Sequence, residues 1–295
     1  MKVSIIILNW NGGEQDCVES IESALSQDFT NKEIIFVDNG SSDGSYESVM
    51  ARFPDLIYVQ TGSNKGCPEG RNIGAKQASG DVIVFLENDG EWKETDVVSQ
   101  AIDFMLENKN IGAMYTAVEG YQSEILDPPV DTNNSGVESV QFSSTFRGGA
   151  SFIYRNIFEK TGGFPSDFLR QGEEVFISYQ IIDRGYDIVY WPQRTLRHKG
   201  SDYTGKSDAV MNYNYINDLK TITRLFPFFY YLIYIVGKIG INMPRFIKKG
   251  KFLVFLKLTA QGVIDVKNRH IYTKISVKGL KKFNSIKYNK DKKID

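Results

Sequence analysis

Cysteine and histidine are scarce in this chain, and their scarcity already narrows its chemistry. Cys17 and Cys67 are the two cysteines. They form no CxxC pair, and as free thiols they fit a reducing compartment. Glycine-rich loops are missing where a dinucleotide site needs them. The first apolar run is followed by Asn9-Trp10-Asn11-Gly12-Gly13 instead of GxGxxG, which argues against a nicotinamide-dependent oxidoreductase. No basic glycine-rich loop stands there either, which argues against a nucleotidyltransferase. The opening run Val3–Leu8 is too short for a signal peptide, and no small-residue cleavage pattern follows, so it reads as a buried first strand. Internal repeats and low-complexity tracts are absent. A hydrophobic fraction of 41% and a charged fraction of 24% exclude a disordered chain.

What is present is a strongly divided charge. Lys220–Asp295 carries 18 Lys or Arg against three acids, although the whole chain of 295 residues has a net charge of −1. A split of this kind points to a tail that meets an anionic surface. The same region holds Leu225–Ile241, almost wholly apolar and aromatic but interrupted by Pro227 and Lys238, hence marginal for a bilayer span of roughly 20 residues. A second apolar stretch, Phe252–Ile264, follows, and the Lys-rich end reads as frayed. The expected organisation is a domain over 1–218 and a helical, basic, membrane-associating or enzyme-capping extension over 219–295.

In the first half, β-branched runs (Val3–Leu8, Glu33–Val37, Leu56–Val59, Val82–Leu86, Ile111–Thr116) alternate with helical patterns (Gln15–Leu25, Tyr46–Arg52, Arg71–Ala78, Asp96–Asn108). This alternation predicts an α/β fold with a mainly parallel central sheet and helices on both faces. Such sheets bind ligands at the carboxyl ends of their strands. In the second half, Phe152–Tyr154 and Ile188–Trp191 read as strands, Glu174–Arg184 as a helix, and Asp127–Gly136 as a loop.

The strand ends carry the residues of interest. Asp38 and Asp43, set among Ser and Gly, can accept hydrogen bonds from a ribose or base edge, and are equally the chemistry of a plain turn. Asn64 and Gly66, then Arg71 at a strand-to-helix junction, offer free N–H groups and a guanidinium fork for a phosphate, or a helix cap with a solvated arginine. Glu87, Asn88 and Asp89 end a nearly all-apolar strand. Two carboxylates one residue apart can converge on Mg²⁺ or Mn²⁺ bridging to a diphosphate. Glu173 and Glu174 open a helix, where acids complement the macrodipole or act as a general base. His198 can be structural or a metal ligand.

The ordered set VSIIILNWNGG, EIIFVDNGSSDGS, NKGCPEGRNIGAKQASGDVIVFLENDGEW, FRGGASFIYRNIFEKTGGF and GEEVFISYQIIDRGYDIVYWP followed by His198 resembles the family 2 glycosyltransferases, including their rhamnosyltransferase-like and polysaccharide-assembly members. The resemblance covers about Val3 to His198. It implies a GT-A fold and an inverting transfer of a hexosyl or deoxyhexosyl group from a UDP- or dTDP-sugar to a glycan or lipid-linked acceptor, at the cytoplasmic face of a membrane. By position it implies that Leu8 and Trp10 lie by the nucleobase and Asp38 by the base or ribose, with Asp43 in the adjoining loop. Asn64, Gly66, Arg71 and Asn88 would lie on the nucleotide-sugar side. Asp89, Glu87 and His198 would hold Mn²⁺ or Mg²⁺, and Gly148 and Gly149 would face the acceptor. Glu174 matches the catalytic base, preceded by Glu173. Glu87 and Glu174 stand where the family usually has Asp, and Phe176 and Gln180 where it often has Asp and Arg. These departures leave a second reading open: a catalytically silent nucleotide-sugar- or polysaccharide-binding module.

Overall fold

In the computed structural model, residues 1–120, 139–199 and 207–288 are described. The expected loop Asp127–Gly136 and the Lys-rich last residues lie outside them. In chain order the elements are β1 (Val3–Asn9), α1 (Glu14–Leu25), β2 (Lys32–Asp38), α2 (Ser45–Arg52), β3 (Ile57–Gln60), α3 (Cys67–Gln77), β4 (Val82–Glu87), β5 (Gly90–Trp92), α4 (Val97–Glu107) and β6 (Ile111–Gly120). They continue with β7 (Gln141–Phe142), β8 (Ala150–Tyr154), α5 (Arg155–Thr161), α6 (Glu173–Asp183), β9 (Asp187–His198), α7 (Asp208–Leu225), α8 (Phe228–Lys248), α9 (Phe252–Ile264) and α10 (Val277–Tyr288).

The alternating side chains of the near-continuous apolar strands explain the layering. In β1, Ile6 points into one core while Val3, Ile5 and Ile7 point into the other; β4 divides likewise, with Ile83 and Phe85 opposed to Val82 and Val84. Strands buried on both faces read as unbroken hydrophobic runs and need helices on each side. Here α1, α2 and α4 cover one face, and α5, α6 and α7 cover the other. The sheet order is β3-β2-β1-β4-β8-β6-β9-β5, with β7 on β9. Most paired positions are parallel. β8 runs antiparallel between β4 and β6.

That inserted strand decides where the site lies. β1, β2 and β4 end together, with Asn9 beside Asp38 and Leu8 beside Glu87. Because β8 is reversed, it begins at the same edge, with Ala150 opposite Leu86. His198, ending β9, pairs with Gly90 and Gly120 there. One rim of the sheet therefore gathers the ends of β1, β2, β3, β4, β6 and β9 and the starts of β5 and β8.

The C-terminal helices pack on the same body. Residues 218 and 219 fall inside α7, whose Leu219, Ile222 and Leu225 join the core under α6. Arg224 is buried between two acids, its Nε 2.6 Å from Asp265 and its Nη1 2.6 Å from Asp167. The Phe283 ring of α10 stacks on Tyr179 of α6 with centroids 3.7 Å apart. Among the described residues no helix is long and apolar enough to cross a membrane.

Candidate active site

Buried asparagines sew the loops after β1 and β2 together. Asn9 donates to Ser45 Oγ at 2.8 Å and Ser41 Oγ at 3.2 Å. Its own Oδ1 accepts from the Gly12 N–H and from Asn88 Nδ2, each at 3.1 Å. Asn39 donates to Asn64 Oδ1 and to the Gly66 carbonyl, and accepts from the Lys65 N–H. Neither asparagine was singled out from the sequence. Its signal was an amide at the last position of an apolar strand or just after it, where four unpaired loop groups need one side chain that both donates and accepts.

Asp38 is buried, and its Oδ1 accepts from the Ser41 N–H at 3.1 Å. Asp43 accepts from the Gly13 N–H at 3.0 Å and from Ser45 Oγ at 2.6 Å. Both acids thus perform the turn chemistry that was one of their two readings. Leu8 is half-buried beside them, and Trp10 is 55% exposed at the rim.

On the other side of β4, the acids converge. Glu173 and Glu174 form the first turn of α6, after Gly172 in the left-handed conformation. Between them and β4 lies Arg71, which the sequence offers as a fork for a phosphate or as a solvated arginine, and which the structure buries. Its Nη2 donates to Glu87 Oε1 at 2.8 Å, and its Nη1 is 3.8 Å from an oxygen of each of Glu173 and Glu174. Its guanidinium carbon sits 5.9 Å from the Phe85 ring centroid. The reason is steric as much as electrostatic, because α3 starts at Cys67 and turns Arg71 inward against the sheet. Gly148 and Gly149 make room: a Cβ on Gly148 would fall 2.3 Å from Arg71 Nη1 and 2.5 Å from Glu174 Oε1, and one on Gly149 2.1 Å from Glu87.

Burial pushes the Glu173 carboxyl up to about 8, helped by the Glu174 charge and opposed by Arg71. Its Oε2 has no hydrogen-bond partner. Burial also raises Glu174, with Arg71 pulling it back. Glu174, Glu87, Gly148, Gly149, His198 and Asp218 share the lining of one cavity of about 480 Å³. Asp38, Asp43 and Arg71 do not line it.

Of the three expected metal ligands, the structure joins two. His198 Nε2 lies 3.1 Å from Asp89 Oδ1, brought there by the pairing of β5 with β9. Glu87 turns toward Arg71. Among the described residues no group of three or more His, Cys, Asp or Glu is arranged to hold a metal ion.

The model of glycosyl transferase family 2 matches residues 4–166. The chain belongs to this family. Among curated members it is 26% identical over 207 residues to the glycosyltransferase AglE of Haloferax volcanii, covering 64% of each chain. It is 21% identical to the O-antigen chain rhamnosyltransferase WbaN of Salmonella anatum, covering 70% of this chain and 68% of that one. The chain thus spans about two thirds of the length of these relatives. Among solved structures, GalNAc-T7 with UDP, GalNAc and Mn2+ superposes with a TM-score of 0.62 at 16% identity, over 77% of this chain and 48% of that one. The mannosyltransferase PcManGT from Pyrobaculum calidifontis, in complex with GDP-Man and Mn2+, does so at 0.57 and 16%, over 92% and 73%. The fold is the GT-A fold of these enzymes.

Proposed function

We propose that this family member is an inverting glycosyltransferase that moves a hexosyl or deoxyhexosyl group from a UDP- or dTDP-sugar to a hydroxyl of a glycan or lipid-linked acceptor. The observation that carries this reading is the pair of buried Glu173 and half-buried Glu174 held by Arg71 at a cavity of about 480 Å³ that His198 also lines. Glu174 takes the proton of the acceptor hydroxyl as that oxygen bonds to the anomeric carbon. The bond from that carbon to the diphosphate breaks with its electron pair, and the nucleoside diphosphate leaves. One displacement inverts the centre. A carboxylate raised by burial is a stronger base than a solvated one, which suits a hydroxyl proton.

Asp89 and His198 fit a divalent cation: one oxygen and one imidazole nitrogen 3.1 Å apart, at a rim open to substrate oxygens. Mg²⁺ and Mn²⁺ are commonly held by one or two protein ligands with phosphates completing the shell. When bound there, the cation offsets charge on the departing diphosphate. Glu87 acts through Arg71 instead. The asparagine-sewn loops with Leu8, Trp10, Asp38, Asp43, Asn64, Gly66 and Asn88 form the nucleotide side, and Gly148 and Gly149 floor the acceptor side. Residues 1–218 supply this chemistry, and 219–295 place the enzyme peripherally at the cytoplasmic face of a membrane.

The test is a panel of nucleotide sugars with and without Mn2+, read as donor turnover and as thermal shift. Metal-dependent turnover of one donor is expected. Stabilisation by a donor with no turnover under any acceptor or metal condition would make the chain a binding module and defeat the proposal.

A further inference from the structure

The last third of the chain carries apolar surface that the fold leaves uncovered. Tyr231, Ile235 and Phe246 form the buried stripe of α8. The opposite stripe, Phe229, Ile233, Val236, Met243 and Ile247, follows the same helical spacing and is exposed. Phe229 and Ile233 are 77% and 67% exposed. α9 repeats the pattern, with Phe255 inward and Leu253, Leu256 and Ile264 outward. Both helices are pinned to α7 through one ring, Tyr215, whose centroid lies 5.3 Å from Phe246 and 5.4 Å from Phe255. The Phe246 and Phe255 rings also touch each other, centroids 5.5 Å apart, so α8 and α9 lie side by side with their free faces turned away from α7.

The charge on this pair has one sign. Phe228–Ile264 contains six basic residues, Lys238, Arg245, Lys248, Lys249, Lys251 and Lys257, and no acid. We propose that the outer faces of α8 and α9 form a platform that docks flat on an anionic lipid bilayer. This deepens the peripheral placement proposed above and rests on it. Helices with an apolar face edged by Lys and Arg settle at the headgroup boundary by burying the first and pairing the second with anionic lipid. Lys238 pairs with Asp218, and Lys249 and Lys251 pair with Asp208, both acids of α7. A second copy of this chain fits the apolar face but not the charge, since Arg245, Lys248 and Lys257 of one platform would meet the same three cations of the other. The helix under the platform also belongs to the site. α7 lines the cavity that holds Glu174 with Asn214 and Asp218, and Lys238 of α8 is 2.5 Å from Asp218.

The test is flotation of the full chain with vesicles of phosphatidylcholine, alone or mixed with phosphatidylglycerol. It is paired with the triple variant Phe229→Ser, Ile233→Ser, Val236→Ser, which alters exposed positions only. The wild type should float with the mixed vesicles, and the bound fraction should fall about tenfold in the variant or in high salt. The variant should keep its melting temperature and its donor turnover. No flotation of the wild type, or equal flotation of both proteins, would overturn the platform. So would a wild-type dimer that the substitutions dissociate while vesicle binding stays unchanged. Flotation as expected with no donor turnover in either protein would support the platform and sink the catalytic reading alone.

Discussion

Replacing Arg71 by Leu tests the arrangement most severely, because one guanidinium is set among three carboxylates. Unit charges about 4 Å apart at an effective dielectric near 20 interact by roughly 4 kcal/mol, so losing the cation is felt by Glu87, Glu173 and Glu174 together. Removing one partner of a buried pair costs about 3–5 kcal/mol. The low end applies here, since Glu173 is pushed up to about 8 by burial and is already largely protonated at neutral pH. A loss of about 3 kcal/mol in a protein of this size lowers Tm by on the order of 10 °C. With the cation gone, Glu174 rises further, so the acid limb of the pH–rate profile moves to higher pH. Thermal melts at neutral pH and initial rates across pH read the two effects separately. A Tm within about 2 °C of wild type, together with an unmoved acid limb, would refute the idea that Arg71 holds the acids.

Glu173→Gln should alter stability in a pH-dependent way. In the folded protein this acid binds its proton more tightly than in the unfolded chain, so wild-type stability falls as pH rises from about 4.5 to about 8 and levels off above. The variant lacks that fall, so its melting temperature should gain on the wild type toward pH 8 to 9, and parallel curves would contradict it. Gly149→Ala places a methyl 2.1 Å from the Glu87 side chain, which must leave Arg71 or push the strand entry outward. Donor turnover should drop at least about tenfold, the scale of a displacement on the order of 1 Å in an active site, with Tm lowered as well. A fully active, equally stable variant would show the entry to be loose.

β1, β2 and β4 were legible because each is a nearly unbroken apolar run, and the rim position of the acids that follow β2 and β4 came with them. Some boundaries were not. β9 continues past Trp191 to His198 although Pro192, Gln193 and Arg194 break its pattern, because a register shift against Ala117 lets pairing resume at Thr195. β5 has three residues, too few for any periodicity. α3 begins at Cys67, four residues before the expected start, with Pro68 in its first turn where proline is well tolerated. α7 was missed because its core-facing Tyr215 and Leu219 sit among asparagines and tyrosines that blur the stripe. At the site, the sequence places Asp89, Glu174 and His198 at the sheet rim, and the 3.1 Å approach of His198 to Asp89 comes from the pairing of β5 with β9. The enclosure of Arg71 was not, since it depends on α6 reaching across from a distant part of the chain. The turn of Glu87 away from Asp89 follows from that enclosure.

Removal of the acceptor proton by Glu174 is the step on which the proposed transfer depends. Single-turnover transfer by Glu174→Gln, with donor affinity measured alongside, addresses it most directly. Loss of a general base lowers the rate by about 10²–10⁴, and the account predicts a fall in that range with donor binding within about twofold of wild type. Transfer at the wild-type rate by this variant would contradict it.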